Sequence, residues 1–328
     1  MAVKVAFIGS GGIANSHLNA LKKVPDTQIV GLCDVDEAKL AAKQKEFGGD
    51  IFTDPDRMLA TTKPDTVYIC LPPFAHGAAE MACIKHKVPF IVEKPLTNDM
   101  ALARKVAAGV KKAGIMAATA YMTRYRRSVA RARELLLNDP PALAYGGWIG
   151  GFPGKHPWLF DKKLSGGQML EQTTHTVDLL RYLCGEVVEV FSYKADPKFV
   201  KEAQGFKADC ASTVAMQLKS GGVANIMNAW VCRAGGGVFL TLLSPNYKVE
   251  FSGWEQSVKI THAGGTHTEE VKGEQNIFEI EDAAWINAVK TGKADGVKSS
   301  YEDGVRSLAV SLAANESMDT GKAVKVKA

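Results

Sequence analysis

Glu171, His175 and Asp178 stand at i, i+4 and i+7, and on one continuous helix that spacing puts all three on a single face. An imidazole fixed by neighbouring carboxylates is suited to moving protons near neutral pH. The same stripe also reads as a buried structural network, or as part of a metal site. No second His/Cys cluster in the sequence completes a ligand set, so no metal is expected. The other chemical candidate is Lys94 in Glu93-Lys94-Pro95, directly after the apolar run Phe90-Ile91-Val92. An amine oriented by an adjacent acid can donate to, or polarise, a substrate oxygen. The plain alternative for the same tripeptide is a surface turn.

A third pattern supplies a context for both. Gly9-Ser10-Gly11-Gly12-Ile13-Ala14 follows the strand-like run Val3 to Ile8 and opens a helical stretch, a G-x-G-x-x-A placed as in dinucleotide sites. Gly9 permits a tight turn, Gly11 and Gly12 let a pyrophosphate approach the backbone, and Ile13 and Ala14 begin a helix packed close to the sheet. Helix N-termini offer unpaired N–H groups and positive potential to phosphates. Asp34, at the end of the next strand, is placed to bond ribose hydroxyls, and a carboxylate there repels a 2′-phosphate. NAD is therefore expected in preference to NADP. Leu71-Pro72-Pro73-Phe74-Ala75-His76 ends the strand Val67 to Cys70 at the edge where open α/β sheets take their ligands. Leu71, Pro72, Pro73 and His76 are expected to wall the cofactor site together with Glu93 and Lys94. In the simpler reading the prolines stop a strand and His76 starts a helix, and the two are compatible.

Elements must position these groups. Short β-branched runs (Val3 to Ile8, Ile29 to Cys33, Val67 to Cys70, Val88 to Val92, and Ile115 to Tyr121) alternate with helical stretches near Ile13 to Lys23, Glu37 to Lys45, Ala75 to Lys85 and Met100 to Lys112. That rhythm predicts an α/β fold with a doubly wound parallel sheet over residues 1–121. From 122 to 328 the pattern changes to strands flanked by helices. It predicts a second, α+β domain with a largely antiparallel sheet, including a hairpin of Ala211 to Leu218 with Val223 to Val231. One helix is expected from about Gln168 to Leu183, and two more near Asn276 to Lys290 and Glu302 to Met318.

Composition narrows the class. Hydrophobic residues make up 46% of the 328 and charged residues 23%, which suits a folded chain with a sizeable core. The 40 Lys and Arg exceed the 35 Asp and Glu by only 5, so nucleic acid is not expected as a partner. The Arg124, Arg126, Arg127, Arg131, Arg133 cluster reads as a solvated or subunit-contact helix face, with Arg124 alone expected at the substrate cleft. No apolar run reaches the roughly 18 residues of a membrane span. The first residues read as a strand and not a signal peptide. Six scattered cysteines without C-x-x-C spacing predict a reduced, cytoplasmic protein. The aromatic loop Gly151 to Lys163 suits contact with sugar C–H faces through Trp158, although Trp158 and Phe160 would also serve to anchor a long loop.

With the Gly9–Ala14 fingerprint, Asp34, the Pro72-Pro73 loop with His76, Glu93-Lys94-Pro95 and the Gly166-Gly167 to Asp178 stretch in place, the chain resembles the Gfo/Idh/MocA family of dehydrogenases (glucose-fructose oxidoreductase, inositol dehydrogenase and rhizopine-catabolism proteins) over essentially its whole length. The resemblance implies a Rossmann domain, a large and mostly antiparallel open sheet behind it, and an NAD(P)-dependent oxidoreductase. It implies a sugar, sugar acid or cyclitol whose hydroxyl or keto carbon exchanges a hydride. It further implies that Lys94 and His175 flank that carbon, that Glu171 helps bind or orient the substrate, and that the open sheet pairs subunits into a homodimer or homotetramer. The family commonly shows D-x-G-x-H where this chain has Glu171-Gln172-Thr173-Thr174-His175. Two rival classes share the architecture: an NAD-assisted glycosidase, and a non-enzymatic dinucleotide-sensing regulator.

Overall fold

The computed structural model describes residues 2–152, 156–195, 197–201 and 205–328. The chain divides into two compact units, Met1–Met122 with Asn276–Val305, and Thr123–Gln275 with Arg306–Ala328.

The first unit is built on a parallel sheet of strands β1 (Val3–Ile8), β2 (Thr27–Cys33), β3 (Asp50–Phe52), β4 (Thr66–Ile69), β5 (Phe90–Val92) and β6 (Ala117–Thr119). Their order, β3-β2-β1-β4-β5-β6, is that of a Rossmann dinucleotide fold. Helices α1 (Gly12–Leu21), α2 (Glu37–Phe47), α3 (Pro55–Thr62), α4 (Ala78–His86) and α5 (Met100–Ala113) make the crossovers. The central strands are apolar on both faces, as helix-covered parallel strands must be, with Val5, Phe7, Val67 and Ile69 essentially inaccessible. β3 and α3 have no counterpart in the sequence reading. β3 is only three residues long, and its partly exposed Asp50-Ile51-Phe52 lies at the sheet edge.

The C-terminal helix Ile277–Thr291 belongs to this unit and not to the second domain, in which the sequence reading had placed everything after residue 121. Its apolar face explains why. Trp285 and Ile286 complete the core formed by Phe7, Leu18 and Tyr68, and the Trp285 indole N–H donates to Thr66 Oγ1 at 2.9 Å.

The second unit carries a sheet of nine strands among the described residues: β7 (Leu143–Ile149), β8 (Val187–Lys194), β9 (Ala211–Leu218), β10 (Val223–Ala229), β11 (Gly237–Leu243), β12 (Tyr247–Ser252), β13 (Ser257–His262), β14 (Thr268–Val271) and β15 (Val324–Lys325). Their order is β14-β13-β12-β11-β7-β10-β9-β8-β15, and β7 with β10 is the parallel pair in an otherwise antiparallel sheet. The anticipated β9–β10 hairpin is present. Side chains of β9 alternate buried and exposed, so one face packs under helices Arg127–Leu136, Thr174–Cys184 and Tyr301–Thr320, and the other is open. β7 sits at the middle, where Gly146 and Gly147 admit close neighbours: a Cβ on Gly147 would lie 2.0 Å from the Met227 carbonyl oxygen.

Candidate active site

In the first unit, β1 runs into Gly9, whose φ of +93° and 2.2 Å approach of a would-be Cβ to the Cys70 carbonyl oxygen leave room for glycine alone. The turn is then tied to β2. The Ser10 N–H and hydroxyl both donate to Asp34 Oδ2 at 2.7 Å, and the Asp36 N–H donates to Oδ1 at 3.0 Å. Burial pushes the Asp34 carboxyl upward, but the Ser10 and backbone hydrogen bonds outweigh it, and its pKa lies below the ordinary value. Asp34 is thus an anion at neutral pH. Its hold on Ser10 was not anticipated from the sequence.

The start of α1 differs from its neighbours. Side chains of Asp36, Asp54 and Asp99 cap α2, α3 and α5, and Glu80 accepts from the Gly77 N–H at the start of α4. α1 begins at Gly11 with no side-chain cap and no acid in its first turn. A Cβ on Gly11 or Gly12 would meet nothing within 4 Å, whereas Ala14 is fully buried against the sheet. Free N–H groups, open space above them and no competing carboxylate are what a pyrophosphate requires. These residues fit a dinucleotide.

His76 spends both ring nitrogens nearby. Nε2 donates to the Leu71 carbonyl at 3.0 Å, and Nδ1 lies 2.6 Å from Glu80 Oε1. It shapes the Leu71–His76 loop, in which Leu71 and Pro72 are half-buried and Pro73 is buried.

Lys94 follows β5 at the carboxyl edge of the parallel sheet and is half-buried. Its N–H donates to Glu93 Oε2 at 3.0 Å. The other Glu93 oxygen lies 3.1 Å from Nε2 of His17, whose Nδ1 lies 2.8 Å from Asp282 Oδ1. All three groups are buried. Burial by itself would lower the His17 pKa, but Asp282 and Glu93 override it and hold the imidazole well above its ordinary value. A buried imidazolium on α1 therefore fixes the carboxylate beside Lys94. Neither His17 nor Asp282 was singled out in the sequence, because nothing local marks them.

In the second unit the expected continuous helix is broken. One short helix, Gly167–Glu171, ends where the Gln172 side chain turns to accept from the Trp230 indole N–H at 2.6 Å, and a second helix, Thr174–Cys184, begins beyond it. The helix expected from about Gln168 to Leu183 is thus two, with Glu171 at the end of the first and His175 and Asp178 on the second. Asp178 takes the structural reading. Arg124 forks onto it through Nε at 2.8 Å and Nη2 at 2.6 Å, and the Ser307 hydroxyl donates to it at 2.6 Å. Arg124, expected at the substrate, is only 5% exposed and also stacks on Tyr182.

His175 is 8% exposed and lines a pocket with two tryptophans. The Trp148 and Trp254 ring centres lie 6.1 and 6.2 Å from the imidazole and 5.7 Å from each other. Thr123, Thr176 and Gln256 supply the polar lining, and Leu179 and Val238 the apolar remainder. Trp158, the aromatic expected to contact substrate, is half-buried in the short turn Pro157–Phe160 and is not among these residues. Pro153, Gly154 and Lys155 of the same loop lie outside the described residues.

Two family descriptions match the chain: "Oxidoreductase family, NAD-binding Rossmann fold" over residues 3–121, and "GFO/IDH/MocA C-terminal domain" over residues 143–258. The chain belongs to the Gfo/Idh/MocA family. It is thus an NAD-binding oxidoreductase, with a dehydrogenase's cofactor domain in its first unit. Among curated relatives, the myo-inositol 2-dehydrogenase of Thermotoga maritima is 25% identical, covering 99% of both chains. The scyllo-inositol 2-dehydrogenase (NAD(+)) of Bacillus subtilis strain 168 is 27% identical, over 56% of this chain and 54% of its own. A levoglucosan dehydrogenase solved with NADH and levoglucosan superposes with a TM-score of 0.91 over the whole of both chains at 17% identity, a likeness of fold.

Proposed function

We propose that this Gfo/Idh/MocA member is an NAD-dependent dehydrogenase that interconverts a hydroxyl and a keto group on a sugar or cyclitol, with Lys94 and His175 as its proton-handling residues. The observation that carries the reading is the Glu93 carboxylate. It is held from below by the His17 imidazolium and in turn holds the backbone of Lys94, at the sheet edge where this fold takes its ligands. Bound NAD supplies the hydride acceptor. Asp34 takes the adenosine ribose, and its charge turns away a 2′-phosphate. The N–H groups that open α1 at Gly11 and Gly12 take the pyrophosphate. Lys94 and His175 are the groups to which we assign proton donation and uptake at the reacting oxygen. The inositol dehydrogenases among the relatives support a polyol ring.

The test is reduced-cofactor absorbance with a panel of inositols, sugars and sugar acids, using NAD and NADP in parallel. NAD is expected to serve better. Lys94→Met and His175→Ala should each lower kcat by roughly a hundredfold or more while NADH affinity stays nearly intact. Unchanged turnover in both variants would refute the assignment. Release of a sugar fragment without accumulation of NADH would favour an NAD-assisted glycosidase instead.

A further inference from the structure

His262 and His267 face each other across the mouth of the β13–β14 turn, outside every residue the dehydrogenase reading uses. The His262 N–H donates to the His267 carbonyl at 3.0 Å, and the next pairs inward are Thr261 with Thr268 and Ile260 with Glu269. Paired residues of antiparallel strands, and alternate residues along each strand, share one face of a sheet. Val258 and Ile260 point into the core under helix Arg127–Leu136, and His262 continues their face. His267 and Glu269 join it from β14, the edge strand of the sheet. The turn between them is fixed by Gly264 and Gly265, at φ of +84° and +74°, and by a 3.0 Å hydrogen bond from the Gly265 N–H to the His262 carbonyl.

The three side chains already touch. His262 Nε2 lies 2.6 Å from Glu269 Oε1, the two imidazole centres are 4.4 Å apart, and one donor atom from each residue lies within 4.8 Å of the other two. A tetrahedral ion with bonds of about 2.0–2.2 Å holds its ligand atoms roughly 3–4 Å apart, so small side-chain rotations suffice. Two of the ligands are also oriented from behind, as metal ligands commonly are. The Tyr247 ring stands edge-on to His262 at 5.2 Å, and Arg131 forks onto Glu269 through Nε and Nη2, each at 2.9 Å. Arg131 also donates to Glu134 at 3.0 Å, so Glu269 Oε1 can turn to a cation while Oε2 keeps the Arg131 Nε bond. Two imidazole nitrogens with one carboxylate select a borderline ion such as Zn2+, and not Mg2+ or Ca2+, which take oxygen ligands.

We infer that His262, His267 and Glu269 form a binding site for a divalent transition metal of the Zn2+ class, with water in the fourth position. Ligands on both sides of the turn make the ion a clip. It ties the four-residue β14 to β13 and, through Glu269 and Arg131, to helix Arg127–Leu136. The site shares no residue with the lining of the His175 pocket, so its role is structural. No metal was expected from the sequence, because the common face of these three residues is decided by the register of the hairpin.

The full chain, stripped of metal with a chelator, is titrated calorimetrically with Zn2+ and in parallel with Mg2+, and Co2+ is added as a spectroscopic probe. Wild type should bind Zn2+ at about micromolar free metal, ignore Mg2+, and gain several degrees in its thermal midpoint when Zn2+ is present. His262→Gln and His267→Gln should each weaken Zn2+ binding by about tenfold to a hundredfold and lose the gain in midpoint, with NADH affinity unmoved. His267 is exposed, so its variant tests the site without disturbing the core. Bound Co2+ should show the ligand-field bands of a nitrogen and oxygen site, without the charge-transfer band of a thiolate such as Cys232. Wild-type Zn2+ affinity in both variants, a thiolate band, or no Zn2+ binding by wild type each overturns the site. Binding that the variants lose, with a wild-type midpoint that Zn2+ leaves unmoved, supports the site and overturns its role as a clip.

Discussion

His17 shows how much of this chemistry depends on a single buried charge. Its two nitrogens are taken by Asp282 and Glu93, and removing the imidazole leaves two carboxylates facing each other with no water to screen them. Its pKa is raised in the folded protein, so its stabilising contribution is complete below the unfolded value of about 6.5 and is lost as pH climbs through the folded value. Chemical denaturation of wild type and His17→Asn across pH 6 to 9 should therefore show the largest stability gap at the acid end, closing as the solution becomes alkaline. A gap that widens with pH would mean that His17 is buried neutral. Nothing in the sequence around His17 announces this role, since Asp282 lies 265 positions away. Lys94 and Asp34 could be singled out as candidates because strand ends mark them in the sequence. Trp148 and Trp254 were not, as they meet His175 only once β7 and the β12–β13 turn have been folded together.

At the scale of elements, the strand-turn-helix β1–α1 was readable in full, and its glycines separate into two physical jobs. Gly9 is required by the fold, because its φ is positive and its Cβ position collides with the Cys70 backbone. Gly11 is not required by the fold, because its φ of −73° suits any residue and its Cβ position is open, and we assign its glycine to the approach of the cofactor. Gly9→Ala should therefore cost about 2–4 kcal/mol in urea unfolding, from backbone strain together with overpacking. Gly11→Ala should leave the unfolding midpoint nearly where it was and weaken NADH binding by about tenfold or more, measured by fluorescence titration. Equal loss of stability in both would mean that the glycine pattern is only a turn. The helix expected over Gln168 to Leu183 failed for the converse reason. Apolar spacing continues across Gln172 and Thr173, where the Thr173 N–H donates back to the Gln168 carbonyl and the His175 N–H to the Gln172 carbonyl, out of step with the i−4 ladder. Local periodicity carries no record of those bonds.

For the molecule as a whole, alternation in the sequence was enough to predict a parallel sheet followed by a mostly antiparallel one. It could not show that residues 276–305 return to the first unit, because that return is decided by Trp285 and Ile286 finding a core made more than 200 positions earlier. No helix among the described residues is long and apolar enough to cross a membrane. Leu143 and Tyr145 on β7 are exposed on the open face of the nine-stranded sheet. Val223 is in parallel register with Leu143, Asn225 with Tyr145, and Tyr193 stands on β8 beyond them. Leu143, Tyr145 and Val223 are thus exposed apolar neighbours among polar strand residues, as subunit interfaces present them. We expect the sheet to pair with a second copy of itself in a homodimer, or twice over in a homotetramer. A two-fold interface doubles every change, so Leu143→Lys with Tyr145→Lys places four like charges in the patch and should shift light-scattering mass toward the monomer of 35.2 kDa. The lysines lie on the solvent side of strands whose buried alternates are untouched, so the thermal midpoint at low concentration should move little. If the double variant keeps the wild-type mass, the sheet face is not the interface, and the patch belongs to some other partner.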